Sequence, residues 1–286
     1  MALRTSFGTD AMSESSPSLR HAPSEGIARV RLLCFAHAGA GASSFNGWPQ
    51  YLRPDIHLVK AQLPGREDNN ATPPFTEIEP LIAHLLPQLD TLLDRPLAIY
   101  GHSMGALVAF EITRALRRHR NVQPVALFVS GRRAPHKPLR HPFLHRLCDA
   151  DLVAHLRNMG GTSTDLLDKP KWRDRFLPTM RADLQLSDIY DYRDEPRLAC
   201  PLYAFLGEED HEMYREDWES WIDQAAGHFE RALLPGGHIF SLPVQALLVA
   251  RIAEILDSLP LRVDKPPTIP TSDGAIRALD NVSMTP

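Results

Sequence analysis

Residues 97–118 constrain the fold more than any other stretch of the chain. An apolar run at 97–100 leads into Gly101-His102-Ser103-Met104-Gly105, and helically spaced apolar residues follow to about Arg118. Two glycines framing a serine at a strand-to-helix junction describe a sharp turn. A side chain at either flanking position would collide with the neighbouring strand and helix. A serine in such a place can also do no more than cap the helix. The apolar strand before it and the helix after it favour the strained elbow, in which the hydroxyl stands exposed at the top of a sheet.

The rest of the chain supplies the sheet that this turn requires. Candidate strands lie at 30–36, 56–61, 97–100, 125–130, 201–206 and 230–234, and most are near-continuous apolar runs. Parallel strands buried on both faces read this way, whereas half-exposed strands alternate. Helical periodicity lies between them, with Ile78, Leu81, Ile82, Leu85, Leu89, Leu92 and Leu93 on one face. A last helix, from about Pro243 to Leu259, is expected to bury Val244, Leu247, Leu248, Ile252, Ile255 and Leu256. The alternation predicts an α/β fold with a mostly parallel central sheet and helices on both faces. Residues 139–194 break the alternation with helical patterns and no strand, which predicts a helical lid inserted beside the sheet. Residues 1–27 and 263–286 are polar and rich in Ser and Pro, and read as flexible tails around a single domain at 28–262.

Composition narrows the function. A formal net charge of −4 gives no basic surplus for nucleic acid or an anionic membrane. No apolar run reaches the roughly 18 residues that a membrane helix needs. The N-terminal stretch has no apolar core of a signal peptide. The three cysteines, Cys34, Cys148 and Cys200, form neither a zinc spacing nor a disulfide framework. These features predict a cytoplasmic protein without metal or cofactor.

A serine nucleophile needs a base, and the sequence offers 13 histidines. On a sheet with such an elbow the order is serine, then acid, then histidine. His238 follows the last strand through Gly236-Gly237 and is the expected base. The loop after the strand at 125–130 carries no carboxylate. The loop after 201–206 carries Glu208, Glu209 and Asp210, so the acid belongs there: Asp210 is favoured, with Glu209 as the alternative. His211 follows the same strand, and His102 reads as structural. The N–H of Met104, in the first helical turn, is placed to stabilise an oxyanion. A second donor should come from the loop after the first strand, Phe35-Ala36-His37-Ala38-Gly39, where Ala38 is the candidate. That loop matches neither G-x-G-x-x-G nor G-x-x-x-x-G-K-[ST].

Several separated pieces, CFAHAGAGASSFNGW, QLPGRED, GHSMGALVAFE, SGRRAPH, LRNMGGTSTDLL, LPTMRADLQLSDIYDY, LGEEDHE and PGGHIF, together resemble one family. The chain resembles, from about Leu32 to about Leu259, the type II thioesterases that accompany nonribosomal peptide and polyketide synthases. The resemblance implies an α/β-hydrolase fold and a triad of Ser103, Asp210 and His238. It also implies hydrolysis of acyl groups from the phosphopantetheine arm of an acyl or peptidyl carrier protein, which clears aberrant chains. Ala36 stands where many relatives have proline. The residues alone support acyl hydrolysis, so a carboxylesterase or acyltransferase acting on small acyl esters or acyl-CoA remains an alternative.

Overall fold

Strands that are apolar at nearly every position must be covered on both faces, and the central strands of the sheet meet that demand. The computed structural model describes residues 18–24, 26–160 and 164–261. In chain order the strands are β1 (Leu19–His21), β2 (Val30–Phe35), β3 (Ile56–Ala61), β4 (Leu97–His102), β5 (Ala126–Ser130), β6 (Leu202–Gly207) and β7 (Phe229–Leu234). They form one sheet in the order β1-β3-β2-β4-β5-β6-β7. Every pairing is parallel except that of β1 with β3.

The strand period of two divides each apolar run between two cores. Leu33, Phe35, Ile99, Leu127 and Val129 pack with helices α1 (Ile78–Leu89) and α2 (Met104–Arg120). Their alternates Leu32, Cys34, Ala98, Tyr100 and Phe128 pack with α7 (Leu242–Ser258). Burying each Leu or Phe contributes roughly 2 kcal/mol, so both helix layers are bound by many small increments. On α7, Val244, Leu248, Ile252, Ile255 and Leu256 are buried as expected, but Leu247 is 54% exposed. It lies on the flank of the stripe that faces the sheet.

The insertion is helical, with a 3-10 turn at Leu144–Arg146 followed by α3 (Asp149–Met159), α4 (Thr164–Leu167) and α5 (Pro170–Asp188). These helices form a small core of their own, which includes Leu152, Leu156, Leu167, Leu177 and Met180. The second half of α5 is also tied to the body. Thr179 donates to the Gly65 carbonyl at 2.6 Å, and Arg132 hydrogen-bonds Ser187. Past β6 comes α6 (Arg215–Glu219).

The expectation of a loose tail over residues 1–27 fails at Leu19–His21, which pairs with β3 in the register Leu19↔Ala61 and His21↔Val59. Just before it, the Ser18 N–H donates to Gln88 Oε1 at 2.8 Å. A three-residue edge strand is too short for periodicity, and its ladder of backbone bonds leaves no mark on side-chain type. Residues 1–17 and the expected tail at 263–286 lie outside the described residues.

Because the insertion rests on a separate, smaller core, its helices should open more readily than the sheet. In native-state hydrogen exchange the amides of α3 and α4 are expected to exchange faster than those of β4 and β5. Equal protection would mean that insertion and sheet open as one unit.

Candidate active site

The elbow after β4 is built by close backbone contacts. A Cβ at Gly101 would overlap the Gly105 carbonyl, and one at Gly105 would overlap the Phe35 carbonyl. Glycine is therefore required on both sides of the serine. Ser103 itself sits at φ 53°, ψ −116°, a region that costs of order 1–3 kcal/mol for a residue with a side chain. Its N–H donates to the Ser130 carbonyl of β5 at 2.8 Å. Its hydroxyl makes no capping bond to α2.

That hydroxyl meets His238 instead. Ser103 Oγ lies 3.0 Å from His238 Nε2, and His238 Nδ1 lies 2.9 Å from Asp210 Oδ2. The three side chains come from the carboxyl ends of β4, β7 and β6, where open parallel sheets gather their ligands. Asp210 has a fully buried side chain, and its other oxygen accepts the Glu212 N–H at 3.0 Å. Glu208, Glu209 and His211 point to solvent. Of the acid candidates, Asp210 alone therefore reaches the imidazole. The loops that carry Asp210 and His238 are packed together, with the Glu209 N–H donating to the Gly236 carbonyl at 2.9 Å. A Cβ at Gly207 would overlap the carbonyls of Gly236 and Gly237.

The loop after β2 runs beside the elbow, because Phe35 pairs with Gly101 across the ladder. His37 and Ala38 lie on this loop and line a cleft of about 1060 Å³ that reaches under the insertion. Leu166, Trp172 and Phe176 form the far wall of that cleft. Other apolar residues of the insertion, such as Leu152, Leu156, Leu177 and Met180, form its small core, against which Ala38 also packs. The N–H of Met104 belongs to the first turn of α2, where no intrahelical acceptor exists.

His102 is buried behind the site. Its Nδ1 pairs with Ser130 Oγ at 2.7 Å, which in turn pairs with the Tyr100 hydroxyl at 2.8 Å. The His102 ring also packs on the rings of His238 and Phe240. This is the structural placement that its position before the serine implies. Among the described residues no cluster of three or more His, Cys, Asp or Glu side chains is arranged to hold a metal. None of the described helices is long and apolar enough to cross a membrane.

Sequence reasoning missed one feature beside the site. Arg66 and Asp183 form a buried, two-pronged ion pair between the segment after β3 and helix α5. Both lie inside stretches that carried the family resemblance, QLPGRED and LPTMRADLQLSDIYDY, but nothing local in either stretch announces a partner so far along the chain.

A parallel sheet with a serine elbow after its central strand, and a hydrogen-bonded Ser–His–Asp line at its carboxyl edge, defines an α/β-hydrolase. The family comparison narrows the class. The chain belongs to the Thioesterase domain family, which matches residues 30–258, and it is a thioester hydrolase. It is 36% identical over 213 residues to the gramicidin S biosynthesis protein GrsT of Aneurinibacillus migulanus, a match that covers 74% of this chain and 83% of GrsT. Among solved structures it resembles RedJ, a thioesterase from the prodiginine biosynthetic pathway in Streptomyces coelicolor. That match has a TM-score of 0.76 and 35% identity, covering 84% of this chain and 95% of RedJ. It also resembles BorB, the type II thioesterase from the borrelidin biosynthetic cluster, with a TM-score of 0.77 and 32% identity. There the match covers 85% of this chain and 99% of BorB.

Two imidazoles beside the site are kept neutral by their surroundings. Burial, reinforced by His238 and His37, pushes His102 well below the ordinary histidine range. Burial pushes His37 down to about 4. The unfolded chain, with histidines near 6.5, therefore binds more protons than the folded one below that pH. Stability from these groups is fully present above about pH 6.5 and is lost as pH falls from there toward 4. The urea midpoint is expected to drop between pH 7 and pH 5, and His102→Gln is expected to flatten that slope. A midpoint that does not change over this range would contradict the assignment.

Proposed function

We propose that Ser103 is the nucleophile, His238 the general base, Asp210 the orienting acid, and the N–H groups of Met104 and Ala38 the oxyanion hole. The observation that carries this reading is the continuous line from Ser103 Oγ through His238 to the buried Asp210, at 3.0 and 2.9 Å. The substrate is an acyl group held as a thioester on the phosphopantetheine arm of a carrier protein in a nonribosomal peptide or polyketide synthase. Support for the substrate comes from relatives such as the gramicidin S biosynthesis protein GrsT and YbtT, a type II thioesterase from the yersiniabactin NRPS/PKS biosynthetic pathway. The role is editing, in which stalled or aberrant acyl chains are cleared and the carrier thiol is freed. The cytoplasm is the proposed compartment, in keeping with three free thiols at Cys34, Cys148 and Cys200.

The steps follow from the atoms in place. Ser103 Oγ attacks the thioester carbon while its proton passes to His238 Nε2. Negative charge develops on the carbonyl oxygen, where the two backbone N–H groups receive it. The C–S bond breaks, and the pantetheine sulfur leaves with the proton held by His238. Water then gives a proton to His238 and its oxygen to the acyl carbon, and Ser103 recovers the proton as the free acid departs. Asp210 holds the Nδ1–H tautomer and offsets the imidazolium charge at each stage. A thiolate leaves readily, so the triad serves thioesters without strong acid assistance.

Release of acyl groups from loaded carrier proteins measures this directly. Ser103→Ala is expected to lower kcat by about 10⁶-fold and Asp210→Asn by about 10⁴-fold. Glu209→Gln is expected to leave kcat near the wild-type value. Undiminished release by Ser103→Ala would overturn the assignment. Faster turnover of nitrophenyl esters or acyl-CoA than of acyl-carrier protein would instead favour a stand-alone esterase or acyltransferase.

A further inference from the structure

The Arg66–Asp183 pair touches the proposed oxyanion loop, and does so with direction. Asp183 Oδ1 accepts from Arg66 Nη2 at 2.7 Å, and Asp183 Oδ2 accepts from Arg66 Nη1 at 2.7 Å. The same Oδ2 also accepts the Gly39 N–H at 2.7 Å. Arg66 Nη1 donates in addition to the Ala40 carbonyl at 3.1 Å, and its Nε and Nη2 donate to the Pro64 carbonyl. The side chains are 5% and 2% exposed. Residues 39 and 40 are thus gripped from two sides by groups with no freedom to turn. The Ala38–Gly39 peptide is fixed at both ends, because its carbonyl lies 3.0 Å from His37 Nδ1 and its N–H is held by Asp183.

Helix α5 also supplies the wall behind this loop. A Cβ on Gly39, which has φ +75°, would meet Met180 at 2.6 Å and Phe176 at 2.8 Å. Docking alone does not call for an ion pair here. Buried ion pairs recover little more than their own desolvation, and apolar residues dock helices as well. A two-pronged guanidinium–carboxylate pair instead fixes orientation, through charge-assisted bonds in one plane.

We propose that Asp183, held in place by Arg66, is a positioning residue that sets the oxyanion loop from helix α5 and so aims the Ala38 N–H at the reacting carbonyl. This rests on the reading of Ala38 as an oxyanion donor. Its consequence is that the C-terminal half of α5 is part of the catalytic frame, while α3 and α4 form the part of the insertion free to move.

The test compares two charge-free pairs in the full chain, so that neither leaves a lone buried charge. Arg66→Gln with Asp183→Asn keeps an acceptor for the Gly39 N–H. Arg66→Gln with Asp183→Leu removes it. With an acyl N-acetylcysteamine thioester as substrate, the leucine pair is expected to lose on the order of 10²-fold in kcat, with KM little changed. Its affinity for an arylboronic acid, whose adduct on Ser103 places oxygen in the oxyanion position, is expected to fall in the same proportion. The asparagine pair is expected to recover most of both. Circular dichroism checks folding. If the leucine pair does not fold, Arg66→Gln with Asp183→Ser, too short to reach Gly39, replaces it with the same expectations. Wild-type kcat and boronate affinity in the acceptor-free pair, or equal losses in both pairs, would overturn the proposal. If Ser103→Ala is inactive in the same assay, such a result removes the positioning role alone. Full activity in Ser103→Ala would remove the reading beneath it.

Discussion

A serine held at φ 53° between a strand and a helix exists only where its surroundings leave it no alternative. Here the constraint is steric. The carbonyl of Gly105 lies where a side chain at position 101 would be, and the carbonyl of Phe35 lies where one at position 105 would be. The ladder between β2 and β4 fixes the Phe35 carbonyl, the first turn of α2 holds that of Gly105, and the Ser103 N–H bond to Ser130 ties the elbow to the next strand. The strain of the turn is carried by the central strands β2, β4 and β5, whose residues are almost all buried, and it presents the hydroxyl to solvent at the sheet's carboxyl edge.

The other groups arrive at that edge for the same reason. The strands around the site are parallel, so the loops after β2, β4, β6 and β7 converge at one end of the sheet. Contact between the Asp210 and His238 loops is backbone on backbone, which makes the carboxylate–imidazole distance a property of the fold more than of side-chain choice. Burial then adjusts the chemistry. The Asp210 side chain is shut away from water, and the neighbouring His102 is held neutral by burial. His238 meets one carboxylate on Nδ1 and one hydroxyl on Nε2. The insertion completes the arrangement on the remaining side through Asp183 and the wall of α5.

Much of this was legible in the sequence because it is local. The elbow is written in five residues, His238 follows a Gly-Gly loop after the last strand, and the near-continuous apolar runs disclose a sheet covered on both faces. Three carboxylates in a row, Glu208, Glu209 and Asp210, left the acid open between Asp210 and Glu209. Which one points inward depends on backbone angles that no residue type in that loop dictates. Strand β1 was hidden because a short edge strand is held by backbone bonds. The Arg66–Asp183 pair was hidden because its partners lie 117 residues apart, and pairing over that distance leaves no periodic trace. Leu247 was misplaced by a pattern that gives the face of a helix but not its margins.

The central claim is that a covalent acyl group passes through Ser103. The most direct measurement is peptide mass spectrometry on enzyme mixed with acyl-loaded carrier protein and acid-quenched within the first turnover. The account predicts the mass of the acyl group on the peptide that contains Ser103, appearing and decaying at rates that match turnover. Acyl mass on another residue, such as the exposed Cys148, or turnover with no acyl mass on the Ser103 peptide, would contradict it.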